Sequence, residues 1–399
     1  MKVFLFDLLP YGENLDHLKA DGKMPKLTKS YFDPAVQMRT YQEHLKEWVA
    51  MEKAGFDGVS FNEHHGTPYG TMTSPNLMAA AISQVTSKMK ILILGNLLPI
   101  HEPLRLAEEI AMLDNLTGGR IICGVARGIP REYRYFNIPL SESRARFDEC
   151  FEVMRKAWTE ESFSFEGQFF KFEDISIWPR CVQEPHPPIW VPISGSKESI
   201  EWAARVNAGI TPSSWLSLAA GGVEEEIVRY YAECQAKHGR RVTPDMINMQ
   251  LSCYVADSKA QAVEECGPYY RYLHNTLVGI DQPGFGTLAS SGYSGAAIRP
   301  FAPSPAGARS GRGPVFGITQ EQLAERADEL PWGTPDEVAD HIIRQAEVTG
   351  AGTVLLMCNP GAMPHEMVMN QIKRIGEEVL PRLHAHKMTR VPPAEGVFN

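Results

Sequence analysis

The sequence predicts a (β/α)8 TIM barrel with long insertions after its first, fourth and seventh strands, and three observations carry that reading. Apolar runs of strand length alternate with segments of helical period about eight times along the 399 residues, the order that parallel strands joined by crossover helices require. The runs are nearly unbroken, as in ILILGNLL at 91–98, which suits strands covered on both faces rather than strands with one wet face. The unusual polar residues, Asn96, His101 and Arg127 in the unit at 91–128 and Glu63-His64-His65 after the second strand, fall near where these strands end, the edge at which α/β folds place their chemistry. Length alone permits more than one domain, but barrels often use this much chain as one, so residues 1–399 are read as a single domain.

The elements follow in order. Residues 2–8 form the first strand, and 9–32 a loop punctuated by Pro and Gly that is too long for a mere connector and suits the shaping of a mouth. Asp33-Pro34 reads as a cap followed by proline at the first helical position, launching a helix to Lys53 that stops at Gly55. Residues 58–62 are the second strand, and Ser74-Pro75 opens a helix to about Ser87. After the strand at 91–98, Leu106, Ala107, Ile110 and Leu113 recur at helical spacing, with Arg105, Glu108 and Glu109 on the other side. Gly118-Gly119 ends that helix where positive φ is cheap, and 120–125 is the fourth strand. A helical period holds over 143–159, and FSFEGQFFKFEDISIWP has the turn and aromatic content of a short antiparallel excursion. Strands at 189–193, 208–212 and 247–255 follow, with helices from near Glu198, over 223–237 and after the seventh strand. From 275 to 331 Gly, Pro, Ser and Ala dominate, which by itself fits a bare linker. The chain then returns to a capped helix at Thr334-Pro335-Asp336 and an eighth strand at 353–358, so the insertion sits inside the fold and is read as a mobile flap over the strand ends.

Composition narrows the function. A formal charge of −9 and the lack of any Lys/Arg run argue against a nucleic-acid or anionic-membrane surface, which needs clustered positive charge. The apolar amino terminus is broken at Asp7, so it is read as a strand and not as a signal peptide or membrane span. Seven cysteines without CxxC spacing give neither a disulfide framework nor a zinc-knuckle pattern, and a reducing cytoplasm is the expectation. A small-molecule enzyme fits these bounds.

The candidate chemistry sits at the strand ends. Neighbouring strand residues point to opposite faces, so at most one of His64 and His65 looks into the barrel mouth, as an acid, base or hydrogen-bond donor near pH 7 or as a satisfier of loop backbone. No HxxxH pair or HxH is present, so no metal is expected. Arg127-Gly128 follows the fourth strand, and Arg144 and Arg146 stand at a helix start; they offer a bidentate phosphate clamp or, equally, surface pairs with Glu142 and Asp148. Ser194-Gly195-Ser196-Lys197-Glu198-Ser199 leads into a helix as an anion seat or an ordinary cap. Together these put a phosphate-bearing cofactor at the barrel mouth. The aromatic residues Tyr69, Tyr133, Phe136, Trp178 and Trp215 either line a pocket for a medium-sized organic molecule or pack the core.

Five motifs carry a resemblance: EHHGTPYG, LLPIHEPLRLAEEIAMLDNLTGGRIICGVARG, SESRARFDEC, PPIWVPISGSKESIEWAA and WGTPDEVAD. In order and spacing the chain resembles the bacterial luciferase-like family of flavin-dependent monooxygenases, apart from the first loop and the Gly/Pro insertion. The resemblance implies a barrel that binds reduced FMN supplied by a separate flavin reductase. The flavin reacts with O2 at C4a to give a peroxyflavin, which oxygenates a small organic substrate. By motif, His64 is then the histidine beside the flavin, and Arg127, Gly128, Ile129 and Arg144 hold the phosphate with Gly195, Ser196 and Ser199. Asn96 faces the isoalloxazine ring, near the place where the family often has an unusual peptide geometry. Ala126 stands where light-emitting members carry cysteine, and Gly195 where they carry an acid, so light emission is not implied. No GxGxxG follows a strand, which favours delivery of reduced flavin by a partner over an internal nicotinamide site. Deazaflavin (F420)-dependent dehydrogenases share the barrel and remain an alternative, as does a non-catalytic flavin carrier. Family members pair through barrel helices, and the small residues Ala79, Ala80 and Ala81 suit such a homo-oligomer, a dimer or tetramer.

Overall fold

A computed structural model describes residues 1–20, 27–194, 196–212, 223–277 and 317–388. The strands are β1 (Lys2–Asp7), β2 (Gly58–Phe61), β3 (Lys90–Leu97), β4 (Ile121–Ala126), β5 (Phe163–Glu166), β6 (Lys171–Ile175), β7 (Ile189–Ile193), β8 (Gly209–Pro212), β9 (Asn248–Ser252), β10 (Tyr254–Val255), β11 (Trp332–Gly333) and β12 (Thr353–Met357). The helices are α1 (Pro34–Ala54), α2 (Pro75–Ser83), α3 (Pro103–Thr117), α4 (Pro130–Tyr135), α5 (Ser143–Thr159) and α6 (Lys197–Arg205). Then come α7 (Val223–Lys237), α8 (Lys259–Tyr272), α9 (Gln320–Glu325), α10 (Pro335–Thr349), α11 (His365–Arg374) and α12 (Leu380–Ala385).

Eight strands form one parallel sheet in the order β8-β7-β4-β3-β2-β1-β12-β9, and a parallel bridge between Ile210 and Ile247 brings its two end strands together. This is the (β/α)8 barrel the sequence predicts. The longest excursions between barrel strands follow β1, β4 and β9; the second of them contains α4, α5 and the antiparallel β5–β6 hairpin. Most of the 275–331 insertion, 278–316, lies outside the described residues, so its reading as a flap does too.

Strand alternation divides the core in two. Val3, Leu5, Val59, Phe61, Ile91, Ile93, Ile121, Cys123 and Val125 belong to the cluster between sheet and helices. Phe4, Phe6, Leu92, Leu94, Trp190, Leu355 and Met357 fill the barrel interior. Glycine makes room for the largest of these: a Cβ on Gly58 or Gly209 would lie 2.6 Å from the Phe4 or Trp190 ring. Each fully buried aromatic of this kind contributes about 1.5–3 kcal/mol of transfer free energy.

Two elements end differently from the sequence reading. The apolar run at 247–255 is split: Asn248–Ser252 stays in the barrel, whereas Tyr254–Val255 pairs with Trp332–Gly333 outside it. Hydrophobicity continues across the switch, so the run carries no sign of the change of partner. Helix α2 stops at Ser83 and not near Ser87, because the Arg120 guanidinium donates to the carbonyls of Ser83 and Thr86 at 3.1 Å and of Met89 at 2.9 Å. A cap supplied from another strand's start leaves no local signature.

Asp7, the outward-facing last residue of β1, anchors α1 to the barrel. Its carboxylate accepts from His44 Nδ1 at 2.6 Å, Trp48 Nε1 at 2.7 Å and the Leu9 amide at 2.7 Å. Glu47 lies 3.7 Å from the same His44 nitrogen and bonds His365 of α11 at 2.7 Å. Among the described residues, Asp7, His44 and Glu47 are the one set of potential metal ligands whose atoms all lie within 4.8 Å of one another, but the three donors on Asp7 already occupy its oxygens. Burial opposes a charge on His44, yet the Asp7 carboxylate beside it, with Glu47 and Glu43, outweighs this and raises its pKa from 6.5 to about 9. The imidazolium's contribution is therefore complete below pH 6.5 and is lost as pH rises through about 9. The thermal midpoint should fall across that window. His44→Gln should cost about 3–5 kcal/mol at the acid end, by stranding Asp7, and remove the fall; a wild-type midpoint that stays level from pH 6.5 to 9.5 would count against the network.

Candidate active site

His64 lies just past β2, with its Nδ1 3.0 Å from Oε1 of the fully buried Glu132 in α4. The other Glu132 oxygen accepts the Ile129 amide at 2.5 Å, reaching back to the N-cap backbone of α4. A carboxylate on Nδ1 fixes that nitrogen as the donor and leaves Nε2 for the site. The His64 ring meets the edge of Tyr69, a member of the interior cluster, at 4.8 Å between centroids. His65 turns away instead. Its Nε2 donates to Glu63 at 2.9 Å, and its ring packs against Phe136 at 4.7 Å.

Asn96 is fully buried near the end of β3, just after the cis Leu94–Gly95 peptide and where the β3–β4 register shifts. Neither its Oδ1 nor its Nδ2 has a hydrogen-bond partner among the described residues. Asn62 Oδ1 beyond β2 and Ser252 Oγ at the end of β9 are likewise buried and unpartnered. Each such atom costs about 1–3 kcal/mol, so four of them on three residues at one end of a barrel single out that end as a candidate site.

The arginines and serines gather on the neighbouring strand ends. Arg127 Nη2 donates to Ser143 Oγ at 2.9 Å, and Arg144 Nη2 to Ser199 Oγ at 2.8 Å. Ser196 caps α6 by accepting the Ser199 amide at 3.4 Å. Tyr133 Oη donates to the Arg127 carbonyl, and Gly128 turns at φ +81°, where a Cβ would stand 3.0 Å from Glu132. Arg144 also approaches Glu198 at 3.4 Å and Asp148 at 3.9 Å, so the ion-pair reading holds at that residue. Burial pushes the Asp148 carboxyl up, against the pull of Arg144 and Arg205. Arg146 belongs elsewhere: it pairs with Glu142 at 2.8 Å and stacks on Phe169 at 4.3 Å. The Ile129 amide is already given to Glu132, and Gly195 lies outside the described residues. Of the aromatics, Tyr69 and Tyr133 are buried, Phe136 and Trp178 are exposed, and Trp215 lies outside the described residues.

The model of luciferase-like monooxygenases matches residues 26–352. The chain belongs to the luciferase-like monooxygenase family. Among its relatives, the alkanal monooxygenase alpha chain of Photorhabdus luminescens is 30% identical over 170 residues, a match that spans 41% of this chain and 47% of that one. The crystal structure of the monooxygenase RslO1 from Streptomyces bottropensis is 26% identical with a TM-score of 0.73, over 96% of this chain and 99% of that one. Two more distant structures share the fold. The oxygenating constituent of 3,6-diketocamphane monooxygenase from Pseudomonas putida, in complex with FMN, has a TM-score of 0.70 at 20% identity over 96% and 98% of the two chains. The F420-dependent tetrahydromethanopterin reductase of Methanopyrus kandleri has 0.60 at 18% over 86% and 94%.

In this luciferase-like barrel the roles of three organising side chains escape the sequence reading: Glu132, Ser143 and Glu63, the last of them named there only as a polar residue at a strand end. Glu132 has a legible signal, since Pro130 at the first helical position and a glutamate two residues on mark a helix start. Ser143 and Glu63 act through contacts distant in sequence and have none. The unpartnered Asn96 amide gives a direct check. Asn96→Leu should stabilise the ligand-free protein by about 1–3 kcal/mol in urea denaturation. A loss of stability would show that the amide is satisfied.

Proposed function

We propose that this luciferase-like protein is an FMN-dependent monooxygenase that takes reduced FMN from a separate flavin reductase and uses O2 to oxygenate a small organic substrate. The observation that carries the reading is the run of contacts Arg127–Ser143 and Arg144–Ser199–Ser196 on the ends of adjacent strands, beside a buried and unpartnered Asn96 amide. Guanidinium and hydroxyl groups suit the phosphate, and an amide with both functions free suits the mixed donors and acceptors of an isoalloxazine edge. Arg127, Arg144, Ser196 and Ser199, with the backbone at Gly128, would hold the phosphate, and Asn96 the ring.

Reduced flavin, when bound, supplies the two electrons and the activation of O2. The chain's own part is to orient and to move protons. Glu132 keeps the His64 Nδ1 proton in place, so Nε2 is the atom that gives or takes a proton at the mouth. Tyr69 at its edge limits the imidazole's rotation. Exposed Leu77 of α2 and Met112 and Leu116 of α3, on helices joined by an Asn76–Glu109 hydrogen bond of 3.0 Å, support pairing between copies.

A substrate screen with a flavin reductase, run under 18O2, tests the reaction: one labelled oxygen should enter the product, and an unlabelled product would refute the oxygenase. Arg127→Ala and Arg144→Ala should each weaken FMN binding roughly 10- to 100-fold, by removal of a charge-assisted contact, as read by flavin fluorescence titration. Tighter binding of F420 than of FMN, with its reduction in the absence of O2, would instead favour the dehydrogenase. Flavin binding without turnover in any assay, with flavin affinity unchanged in His64→Ala, would leave only a carrier.

A further inference from the structure

Glu63 is absorbed by neither the phosphate contacts nor the His64–Glu132 pair, yet it is one of the most heavily engaged carboxylates in the barrel. It is 3% exposed and stands between β2 and His64. Its Oε1 accepts from His65 Nε2 at 2.9 Å and from His101 Nε2 at 3.0 Å, and its Oε2 from His101 Nε2 at 2.9 Å and from the Leu97 amide at 2.9 Å. Burial would raise its pKa, but the donors from His101, His65 and Leu97 outweigh that and hold it at about 2, so the group is a permanent anion. His101, facing Glu63 and Glu109, is raised in turn.

The positions of the three donors matter more than their number. His65 is the residue after His64, Leu97 is the residue after Asn96, and His101 sits at the turn that leads into α3. His64 is therefore held between two fixed neighbours, Glu63 and His65, while its own ring reaches Glu132 on the far side. Asn96 is held by the amide that follows it, at the point where β3 loses its register with β4. A buried carboxylate with its oxygens fully engaged is rigid, because each donor it released would leave a charge unsolvated.

We propose that Glu63 is a positioning residue: a single anionic strut that locks the β2 and β3 rim loops so that His64 and Asn96 keep a fixed relation across the site. The proposal rests on the reading of those two residues as flavin-facing. Its chemical basis is independent of that reading, since the strut acts through His65, His101 and the Leu97 amide.

Glu63→Gln in the full chain keeps the shape and removes the charge, and its NH2 group meets a donor where an acceptor is needed. Three measurements apply: hydrogen exchange at the Leu97 amide, the imidazole 15N signals of His65 and His101 through a pH titration, and kcat and KM with FMN and a reductase. Leu97 exchange should quicken and the His101 titration should move to lower pH. Turnover should drop about 10- to 100-fold in kcat with little change in KM, the mark of misplaced groups and not of lost binding. Unchanged Leu97 exchange and imidazole signals, or a kcat within about twofold of wild type, would overturn the strut. If Glu63→Gln does not fold, the double variant His65→Gln/His101→Gln takes its place: it removes both imidazoles and leaves the Leu97 amide, so Leu97 exchange should quicken and kcat should fall as above, and unchanged exchange or a kcat within about twofold of wild type would overturn the strut. Wild-type protein that neither binds FMN nor turns over, while Leu97 and His101 respond as expected, supports the strut and overturns the flavin reading.

Discussion

Parallel pairing of eight strands in a closed ring is the constraint from which the rest of this molecule follows. Because every barrel strand runs the same way, all their carboxyl ends meet on one rim, and the period-two alternation sends successive side chains to the helix layer or to the interior. Val3 and Leu5 pack outward while Phe4 and Phe6 pack inward, and the same rule sends Asp7 out to His44 and Trp48. One register slip on β1 would bury Asp7 among the interior aromatics and expose Phe6 to a layer already filled.

Buried or loop-facing carboxylates then tie the connections that the ring leaves loose. Glu52 of α1 accepts the amides of Ser87, Lys88 and Met89 before β3; Asp114 of α3 accepts those of Val182 and Gln183; Glu149 of α5 accepts those of Gln168, Phe169 and Phe170 in the β5–β6 turn. Glu63 and Glu132 do the same on the rim at the carboxyl ends of the strands, with histidines among their donors. A helix supplies an acid at a rigid position, and the loop supplies amides that would otherwise lack partners. The net acidity of the chain is partly the sum of these internal ties, and so says less about its ligands than a surface charge of the same size would.

What the sequence makes legible is what is local. Asp33-Pro34 with Gly55, and Thr334-Pro335 with Glu337, appear as caps at the residues that carry them: Asp33 accepts the Ala35 amide at 2.7 Å, Gly55 turns at φ +95°, and Thr334 and Glu337 form a reciprocal capping box. The βαβ unit around α3 is likewise plain from its periodicity and its Gly118-Gly119 stop. Illegible are the decisions made between distant segments. Nothing near Ser83 announces that Arg120 will cap it, nothing in LSCYVA marks the point where the chain leaves β12 for β11, and nothing in EHH says which histidine faces Glu132 and which faces Glu63. Arg127 and Arg144 could be picked out as charged residues near strand ends, but their relation through Ser143 and Ser199 exists only once the ring is closed.

The rim is also divided chemically. In the ring order, β4 and β7 lie opposite β1 and β12, and the two sides carry different groups. Beyond β4 and β7 stand Arg127, Arg144, Ser196, Ser199 and the acids that pair with them. At and beyond the ends of β1 and β12 stand Leu8, Met357 and, from the base of the long insertion, Tyr272, Leu273 and Leu277, all members of the interior apolar cluster. Tyr272 is itself held from below, its hydroxyl accepting the Leu15 amide at 2.8 Å, so that apolar wall is fixed to the first loop and does not hang free. An anionic tail and an uncharged organic molecule need opposite surroundings, one wet and cationic, the other dry. A single barrel mouth provides both only if its two halves are segregated, and the strand order of this fold achieves that by placing the two kinds of loop across the ring from each other. His64, just past β2, and Asn96, on β3, occupy the arc between them, and on the proposed reading a cofactor anchored on one side would there meet a substrate seated against the other.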